Sequence, residues 1–262
     1  MVRHQTTIHI LMKTIKLLVA VLLFSFAGTI QAQTADEIVA NYFENTGGMD
    51  AWKAVKGIQF EGAIRVQGME LPMTMVQTTD GRMMTKAEFQ GMTFYQGVYD
   101  GSVLWSTNQM TMKAEKMDAE ATANMKLEMN DFPDALLGWK EKGYTLEKLE
   151  NETIDGTETF KLKLTKEPAI VDGVEVPSVK FIYFDMENFV PIVEEEEINA
   201  GPGKGQVSQT KFSDYQEVEG LYFPFSMMAG AKGQPGGQEI IIKSITLNPE
   251  VSDEMFAYPE QK

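Results

Sequence analysis

The chain has 262 residues, of which 43% are hydrophobic, and its formal net charge at pH 7 is −15. It contains no cysteine, and its two histidines, His4 and His9, lie within the first ten residues. Beyond that N-terminal stretch, the composition excludes Ser-His-Asp triads, cysteine nucleophiles, zinc sites built from His or Cys, and disulfides. The acidic charge argues against nucleic acid and anionic membrane surfaces as partners.

The first 32 residues have the pattern of a cleavable signal peptide. Lys13 and Lys16 precede an eight-residue apolar run, and small residues then lead to a cleavage position after Ala32. The run is too short for a comfortable membrane span. We therefore expect export and a periplasmic location for residues 33–262, which form one domain and contain no lipid-anchoring cysteine. Removal of three basic residues with the peptide changes the charge to 20 − 38 = −18.

A short helix is predicted at the start of the mature chain. Residues 34–37 read Thr-Ala-Asp-Glu, a capping-box pattern, and apolar residues at helical spacing follow it. From residue 58 onward, apolar and polar residues alternate with a period of two, which is typical of strands with one solvated face. Turn dipeptides of the Asp-Gly type separate successive strands. The strands are predicted at residues 58–67, 70–79, 82–89, 92–98 and 102–108.

An apolar insert with two helical segments interrupts these strands near the middle of the chain and ends at about Trp139. After it, strands are predicted at residues 144–154, 158–166, 178–185, 190–198, 206–217, 221–229 and 238–248. The whole pattern predicts a mainly β fold, with about 11–12 strands in one large, curved antiparallel sheet. A sheet with more than about eight strands leaves an interior that must be filled or must hold a ligand. The insert is therefore either a plug or a lid.

Four stretches resemble the periplasmic lipoprotein-carrier family typified by LolA. They are residues 100–105 (DGSVLW), residues 132–137 (FPDALL), residues 181–185 with 190–192 (FIYFD and VPI), and residues 214–224 (DYQEVEGLYFP). The resemblance implies an unclosed half-barrel with an N-terminal helix and a helical lid that contains Pro133. It also implies outer-membrane lipoprotein sorting as the function. The same fold serves RseB-type envelope-stress regulators and mycobacterial lipid-transport lipoproteins such as LppX.

Methionine is concentrated on the strands before the insert and on the insert itself. Of the 16 methionines after the signal peptide, 11 lie between Met69 and Met129. Methionine is unbranched and adaptable, so this clustering favours an acyl-chain lining over ordinary core packing. The pairs Met73/Met75 and Met110/Met112 are also compatible with Cu(I), but no His or Cys strengthens such a site.

Two further patterns are weighed against simpler explanations. The run from Glu194 to Glu197 lacks the glycine turn of a calcium loop, and we interpret it as a solvated edge strand. Carboxylate-pair catalysis would need two positioned acids, and no spacing selects a pair. We therefore predict neither an enzyme nor a metal or other cofactor.

The sequence favours a carrier that holds a lipid or a lipoprotein acyl group in an apolar cavity and passes it across the periplasm to the outer membrane. The alternatives are a lipid-sensing regulatory domain of the same fold and, less favoured, a methionine-based copper protein. Predicted partners are the acylated cargo and transfer proteins of the inner and outer membranes; nucleic acid is not expected, and the protein is expected to be a monomer. The predicted cavity lining is Ile64, Val66, Met73, Met75, Met92, Phe94, Trp105, Phe181 and Phe223, and the predicted lid residues are Met125, Met129, Leu136, Leu137 and Trp139.

Overall fold

The computed structural model describes residues 33–66, 68–201, 203–234 and 236–259, apart from the side chain of Val66. Within these ranges, fourteen strands pair antiparallel in one sheet. They are β1 (Gly57–Val66), β2 (Met69–Thr78), β3 (Met83–Phe89), β4 (Met92–Tyr99), β5 (Leu104–Thr107), β6 (Ala114–Lys116), β7 (Thr145–Lys148), β8 (Glu152–Ile154), β9 (Thr157–Val171), β10 (Val174–Asp185), β11 (Pro191–Glu197), β12 (Val207–Val218), β13 (Leu221–Ala231) and β14 (Gln238–Leu247).

The order across the sheet is β6-β5-β4-β3-β2-β1-β14-β13-β12-β11-β10-β9-β7, and β8 also pairs with β9. The end strands β6 and β7 do not pair, so the sheet is open, and the predicted unclosed, mainly β class is confirmed. The count exceeds the expected 11–12 because the strand predicted at residues 144–154 is divided into β7 and β8, and because β6 follows β5. The β9–β10 hairpin is also longer than predicted and turns at Asp172 and Gly173, which both have positive φ.

Two N-terminal helices, α1 (Ala35–Asn45) and α2 (Met49–Ala54), lie on one face of the sheet, which we call the inner face. The apolar stripe of α1 is buried there, as predicted. The loop between the helices touches the start of β13, where the Tyr222 N–H donates to the Thr46 carbonyl at 3.1 Å. A side chain at Gly47 would collide with the carbonyl oxygen of Gly220, so glycine permits this close approach.

The inner core joins these helices to β1, β9, β10, β13 and β14. Trp52 on α2 packs on Phe223 with ring centroids 5.2 Å apart, and Phe43 on α1 lies at the edge of the Trp52 ring. The inner faces of β9 and β10 add Leu162, Leu164, Ile182 and Phe184 to this core. Core packing on the inner face is therefore concentrated on one half of the sheet.

A second core lies on the opposite, outer face of β2–β5. Val76, Met84, Val98 and Trp105 are cross-strand neighbours there, and such neighbours share a face of the sheet. The chain after β14, with a 3₁₀ turn at Asp253–Met255, covers them with Phe256. The Trp105 Nε1–H donates to the Phe256 carbonyl at 3.2 Å.

The insert contains one helix, α3 (Ala119–Met129), followed by turns over residues 130–143. The expected second helical segment at residues 132–137 is therefore wrong. The Asp134 carboxylate accepts the Leu136 N–H at 2.7 Å, a local turn that competes with helix. Gly138 and Gly143 then adopt positive φ, which ends any helical continuation.

The glutamate run forms an internal strand, and the expectation of a solvated edge strand is wrong. β11 lies between β10 and β12. Glu195 is only 5% exposed and accepts hydrogen bonds from Tyr183, Gln209 and Lys232. Burial opposes its ionisation, but these hydrogen bonds outweigh burial and lower the pKa of Glu195.

Candidate functional site

The inner face of β1–β4 carries apolar side chains that the inner core does not include. Phe60 pairs with Met75, Gly62 with Met73 and Ile64 with Leu71, so these residues share the face on which Phe60 contacts the core. On the next strands, Met73 pairs with Ala87 and Ala87 with Phe94. Ile64, Met73 and Ala87 are buried, whereas Met75, Leu71 and Phe94 are half-buried. We call this surface the inner groove; its residues are Ile64, Leu71, Met73, Met75, Ala87 and Phe94.

Four predicted lining residues, Ile64, Met73, Met75 and Phe94, thus lie together on the inner groove. Phe223 is on the same face but is buried in the inner core beneath Trp52. Met92, at the end of the β3–β4 hairpin, is 45% exposed. The side chain of Val66 lies outside the described residues.

The structure places the other two predicted lining residues on the outer face. Trp105 belongs to the core beneath Phe256. Phe181 alternates with the inner-face residues Ile182 and Lys180, and the Lys161 ammonium lies 5.3 Å from the centroid of its ring. A bulge between β3 and β4 interrupts the alternation along β4: Phe94 pairs with Ala87 and Val98 with Met84, so Phe94 and Val98 point to opposite sides.

Helix α3 is held to the sheet by polar contacts. Asp118 caps its N-terminus by accepting the Ala121 N–H at 2.7 Å. Asn124 exchanges two hydrogen bonds with the backbone of Ile170, at 2.7 and 2.9 Å. The Glu120 carboxylate accepts the N–H groups of Asp172 and Gly173 at 3.0 and 2.8 Å. None of the residues of α3 is fully buried, and the predicted lid residues Met125 and Met129 are half-buried on it.

The turns after α3 are fixed more firmly. Leu136 is 3% exposed in the inner core, and Leu137 and Trp139 pack against that core. The Tyr42 hydroxyl of α1 donates to Asp134 at 2.7 Å. Because Asp134 is desolvated, its pKa is raised, and the hydrogen bond from Tyr42 only partly opposes that rise. The predicted lid residues therefore divide between an exposed helix and a buried segment.

A cavity of about 290 Å³, which we call the polar pocket, lies between this segment and the inner face. Apolar atoms of Met129, Phe132, Leu136 and Ile182 form part of its wall. The remaining wall is polar or charged and comprises Gln77, Glu128, Asp131, Asp134, Lys180 and Glu194, with Pro133, Ala135 and Pro191 between them.

Two ion pairs stand at the polar pocket. Lys180 on β10 lies 2.9 Å from Glu194 on β11. Burial alone would lower the pKa of Lys180, but the carboxylates of Glu194 and Glu196 outweigh it and raise that pKa. Lys166 on β9 lies 2.6 Å from Asp131, which also accepts the Tyr144 hydroxyl at 2.9 Å.

Sequence reasoning did not place these charged residues at a site, and it interpreted Glu194 as part of a solvated edge strand. Lys180 stands in a strand whose two alternating sets, Lys180/Ile182/Phe184 and Phe181/Tyr183, are both largely apolar. The alternation therefore could not show which set faces inward. The available signal that this set is special was Lys180 itself, because it begins a set that is otherwise apolar.

Among the described residues, no group of three or more His, Cys, Asp or Glu side chains is placed to hold a metal ion. Of the methionine pairs, Met73 and Met75 face the inner groove, whereas Met110 and Met112 are exposed in the β5–β6 loop. In the described part of the chain, no helix combines the length and the apolar character needed to cross a membrane.

Comparison with protein-family models and with curated protein sequences finds no match. Solved structures do match. A LolA superfamily protein from Nitrosomonas europaea aligns with a TM-score of 0.53 and 14% identity, over 86% of this chain and 98% of that one. A domain assigned to outer-membrane lipoprotein sorting from Vibrio parahaemolyticus gives 0.52 and 10%, over 84% and 94%. A DUF1329 family protein from Desulfovibrio piger gives 0.51 and 12%, over 86% and 97%. The chain therefore has the LolA-like fold, as the sequence resemblance predicted.

Proposed function

We propose that this protein is a periplasmic carrier that binds an acyl chain of a lipid or lipoprotein in the inner groove. The observation that carries the proposal is the unequal filling of the inner face. Helices α1 and α2 pack in one core with β1, β9, β10, β13 and β14, whereas the apolar residues Leu71, Met75 and Phe94 on β2 and β4 remain half-buried. Partly exposed apolar surface of this kind is a candidate ligand site.

The binding free energy at such a site would come from burial of the acyl chain. Each methylene removed from water contributes roughly 0.8 kcal/mol, so a long acyl chain contributes on the order of 10 kcal/mol before the costs of ordering it. Met73 and Met75 suit this task because thioether side chains adapt to different chain shapes. Affinity for the chain then needs no polar contact.

In this proposal α3 alone is the lid. Its side chains are exposed or half-buried, and polar contacts with the end of the β9–β10 hairpin hold it in place. Elements with few buried apolar contacts open at the lowest free-energy cost. The segment over residues 130–143, which includes the buried Leu136, is a permanent plug.

The expected signal peptide and the LolA-like fold support periplasmic transfer as part of this proposal, and such transfer requires a donor and an acceptor at the two membranes. The chain's acidic charge implies that these partners are recognised as proteins and not through anionic lipid. Release then occurs by displacement at the acceptor, because no histidine in the mature chain titrates near neutral pH.

The proposal is tested by native mass spectrometry of protein purified from an envelope fraction. We expect a co-purifying lipid or acylated peptide whose mass is lost on mild delipidation and restored on reloading. Protein that carries no acyl ligand from the envelope and takes up none on incubation with lipid would overturn the proposal.

A further inference from the structure

The Lys180–Glu194 ion pair has a position that fold stability does not explain. The two residues are on adjacent strands, β10 and β11, which backbone hydrogen bonds already join. Lys166–Asp131 differs, because it connects the plug to the sheet. Transfer of two charges out of water is costly, and an apolar pair of similar size is often as stable or more stable. A partly buried ion pair beside a cavity, with 21% and 28% of its side chains exposed, is therefore a candidate for ligand recognition.

The pocket beside this pair is suited to a small polar group. Its volume of about 290 Å³ lies at the lower end of the roughly 300–1,000 Å³ usual for small-molecule sites. Four of its wall residues, Glu128, Asp131, Asp134 and Glu194, carry carboxyl groups, and one, Lys180, carries an ammonium. Lys166 is paired with Asp131, and the Lys142 ammonium donates to the Asp134 carbonyl at 3.0 Å, so carboxyl groups outnumber ammonium groups by four to three around the pocket. A further positive charge is thus favoured, and Lys180 is the ammonium of the wall itself.

The polar pocket also adjoins the inner groove through one strand. Gln77 lines the pocket, and Met75 and Met73 follow it at alternate positions of β2, on the same face. A molecule with its polar end beside Gln77 and Lys180 can therefore extend its apolar part along the inner groove.

We propose that the polar pocket binds a lipid headgroup in which a phosphate is linked to an ammonium, with the phosphate on Lys180 and the ammonium on Glu194 and Asp131. This inference rests on the proposed carrier function and narrows the cargo to zwitterionic phospholipids. The phosphate oxygens can accept charge-assisted hydrogen bonds from the Lys180 ammonium. The carboxylates of Glu194 and Asp131 can accept such bonds from the ammonium of the ligand. An anionic lipid without an ammonium would place its negative charge beside these carboxylates, and nothing would compensate the repulsion.

The test measures displacement of a fluorescent fatty-acyl probe by three lipids with identical chains: a phosphatidylethanolamine, a phosphatidylglycerol and an uncharged diacylglycerol. The variant is Lys180→Met with Glu194→Met, which keeps side-chain volume and is expected to fold. The matched control is Lys163→Met with Glu147→Met, an outer-face ion pair at 3.0 Å. Melting temperatures of all three proteins are recorded in parallel.

We expect the natural protein and the control to bind the phosphatidylethanolamine at least 10-fold more tightly than the diacylglycerol, and the phosphatidylglycerol no more tightly than the diacylglycerol. The Lys180/Glu194 variant should lose this preference and still bind the diacylglycerol. Equal binding of all three lipids by the natural protein, or an unchanged preference in the variant, would overturn the headgroup site and leave the carrier function standing. No probe binding by the natural protein would overturn both.

Discussion

Lys166 on β9 and Asp131 at the start of the plug lie 2.6 Å apart, with only 11% and 20% of their side chains exposed. The same carboxylate accepts the Tyr144 hydroxyl at the other end of the plug. These contacts hold the plug on the sheet and distinguish it from α3, the other part of the insert. The turns behave as part of the core, whereas α3 is held only by contacts at the surface.

The first prediction compares the two parts by stability. Leu136→Ala should lower the free energy of unfolding by about 2–5 kcal/mol, because it leaves a cavity in the inner core. Met125→Ala, on α3, should cost less than about 1 kcal/mol, because Met125 is only half-buried. Urea denaturation followed by tryptophan fluorescence measures both. Similar losses in the two variants would show that α3 is as firmly packed as the plug.

The second prediction concerns the contacts that hold α3. Glu120→Ala with Asn124→Ala removes four hydrogen bonds to the β9–β10 hairpin, and such bonds contribute roughly 0.5–1.5 kcal/mol each. Amide hydrogen exchange in Ala119–Met129 should become at least 10-fold faster, with β1 and β14 unchanged. Lys126→Ala, on the same helix, is the control and should leave the exchange rate close to that of the natural protein.

Tethering provides the opposite perturbation. Asn124→Cys with Ile170→Cys should form a disulfide that holds α3 to the hairpin, blocks lipid loading and release, and restores both on reduction. Normal loading of the oxidised protein would mean that α3 does not gate the inner groove.

The third prediction concerns pH. Burial raises the pKa of Asp134, so the folded state keeps this proton at higher pH than the unfolded state, whose value is about 3.9. The contribution of Asp134 to stability is therefore greatest below the unfolded pKa and falls as pH rises through the folded pKa. Asparagine can keep both contacts, because its carbonyl oxygen can accept the Leu136 N–H while its amide group donates to the Tyr42 hydroxyl oxygen.

Asp134→Asn should accordingly melt at the same or a higher temperature than the natural protein at pH 7. That advantage should shrink as the pH is lowered towards the raised pKa of Asp134. Melting curves of both proteins between pH 4 and 8 measure the difference. A deficit of the variant that is constant over this range would show that the carboxylate charge is a net stabilising element.

The sequence predicted the architecture well because strand alternation and turn dipeptides are local signals. The prediction was wrong where tertiary contacts determine which face a side chain occupies or whether a segment is helical. The bulge that separates Phe94 from Val98 lies at Gln96, and its one mark in the sequence MTFYQGV is the neighbouring Gly97. Only the pairing of β3 and β4 shows that the two residues face opposite sides. Similarly, the sequence of residues 132–137 predicts a helix, but in the structure Asp134 accepts hydrogen bonds from Leu136 and Tyr42 and the segment forms turns.

The charged part of the site was hidden for a related reason. Four successive glutamates suggest a solvated strand, because their partners Lys180, Gln209 and Lys232 are distant in the sequence. Only the pairing of β10, β11 and β12 brings these groups together. The sequence predicts Trp105 and Phe181 in the cavity, whereas both lie on the outer face. No local signal distinguishes the two faces of an apolar strand.

The fourth prediction tests acyl binding in the inner groove by comparing two phenylalanines on opposite faces. Phe94→Glu places a carboxylate on the inner groove, where it must be buried against the acyl chain at a cost of several kcal/mol. Phe181→Glu places the same charge on the outer face, near Lys161. Native mass spectrometry after incubation with a long-chain lipid, with melting temperatures as the folding control, should show bound lipid in the natural protein and in Phe181→Glu, and none in folded Phe94→Glu. Equal lipid retention by the two variants, or loss of lipid only from Phe181→Glu, would contradict an acyl site on the inner face.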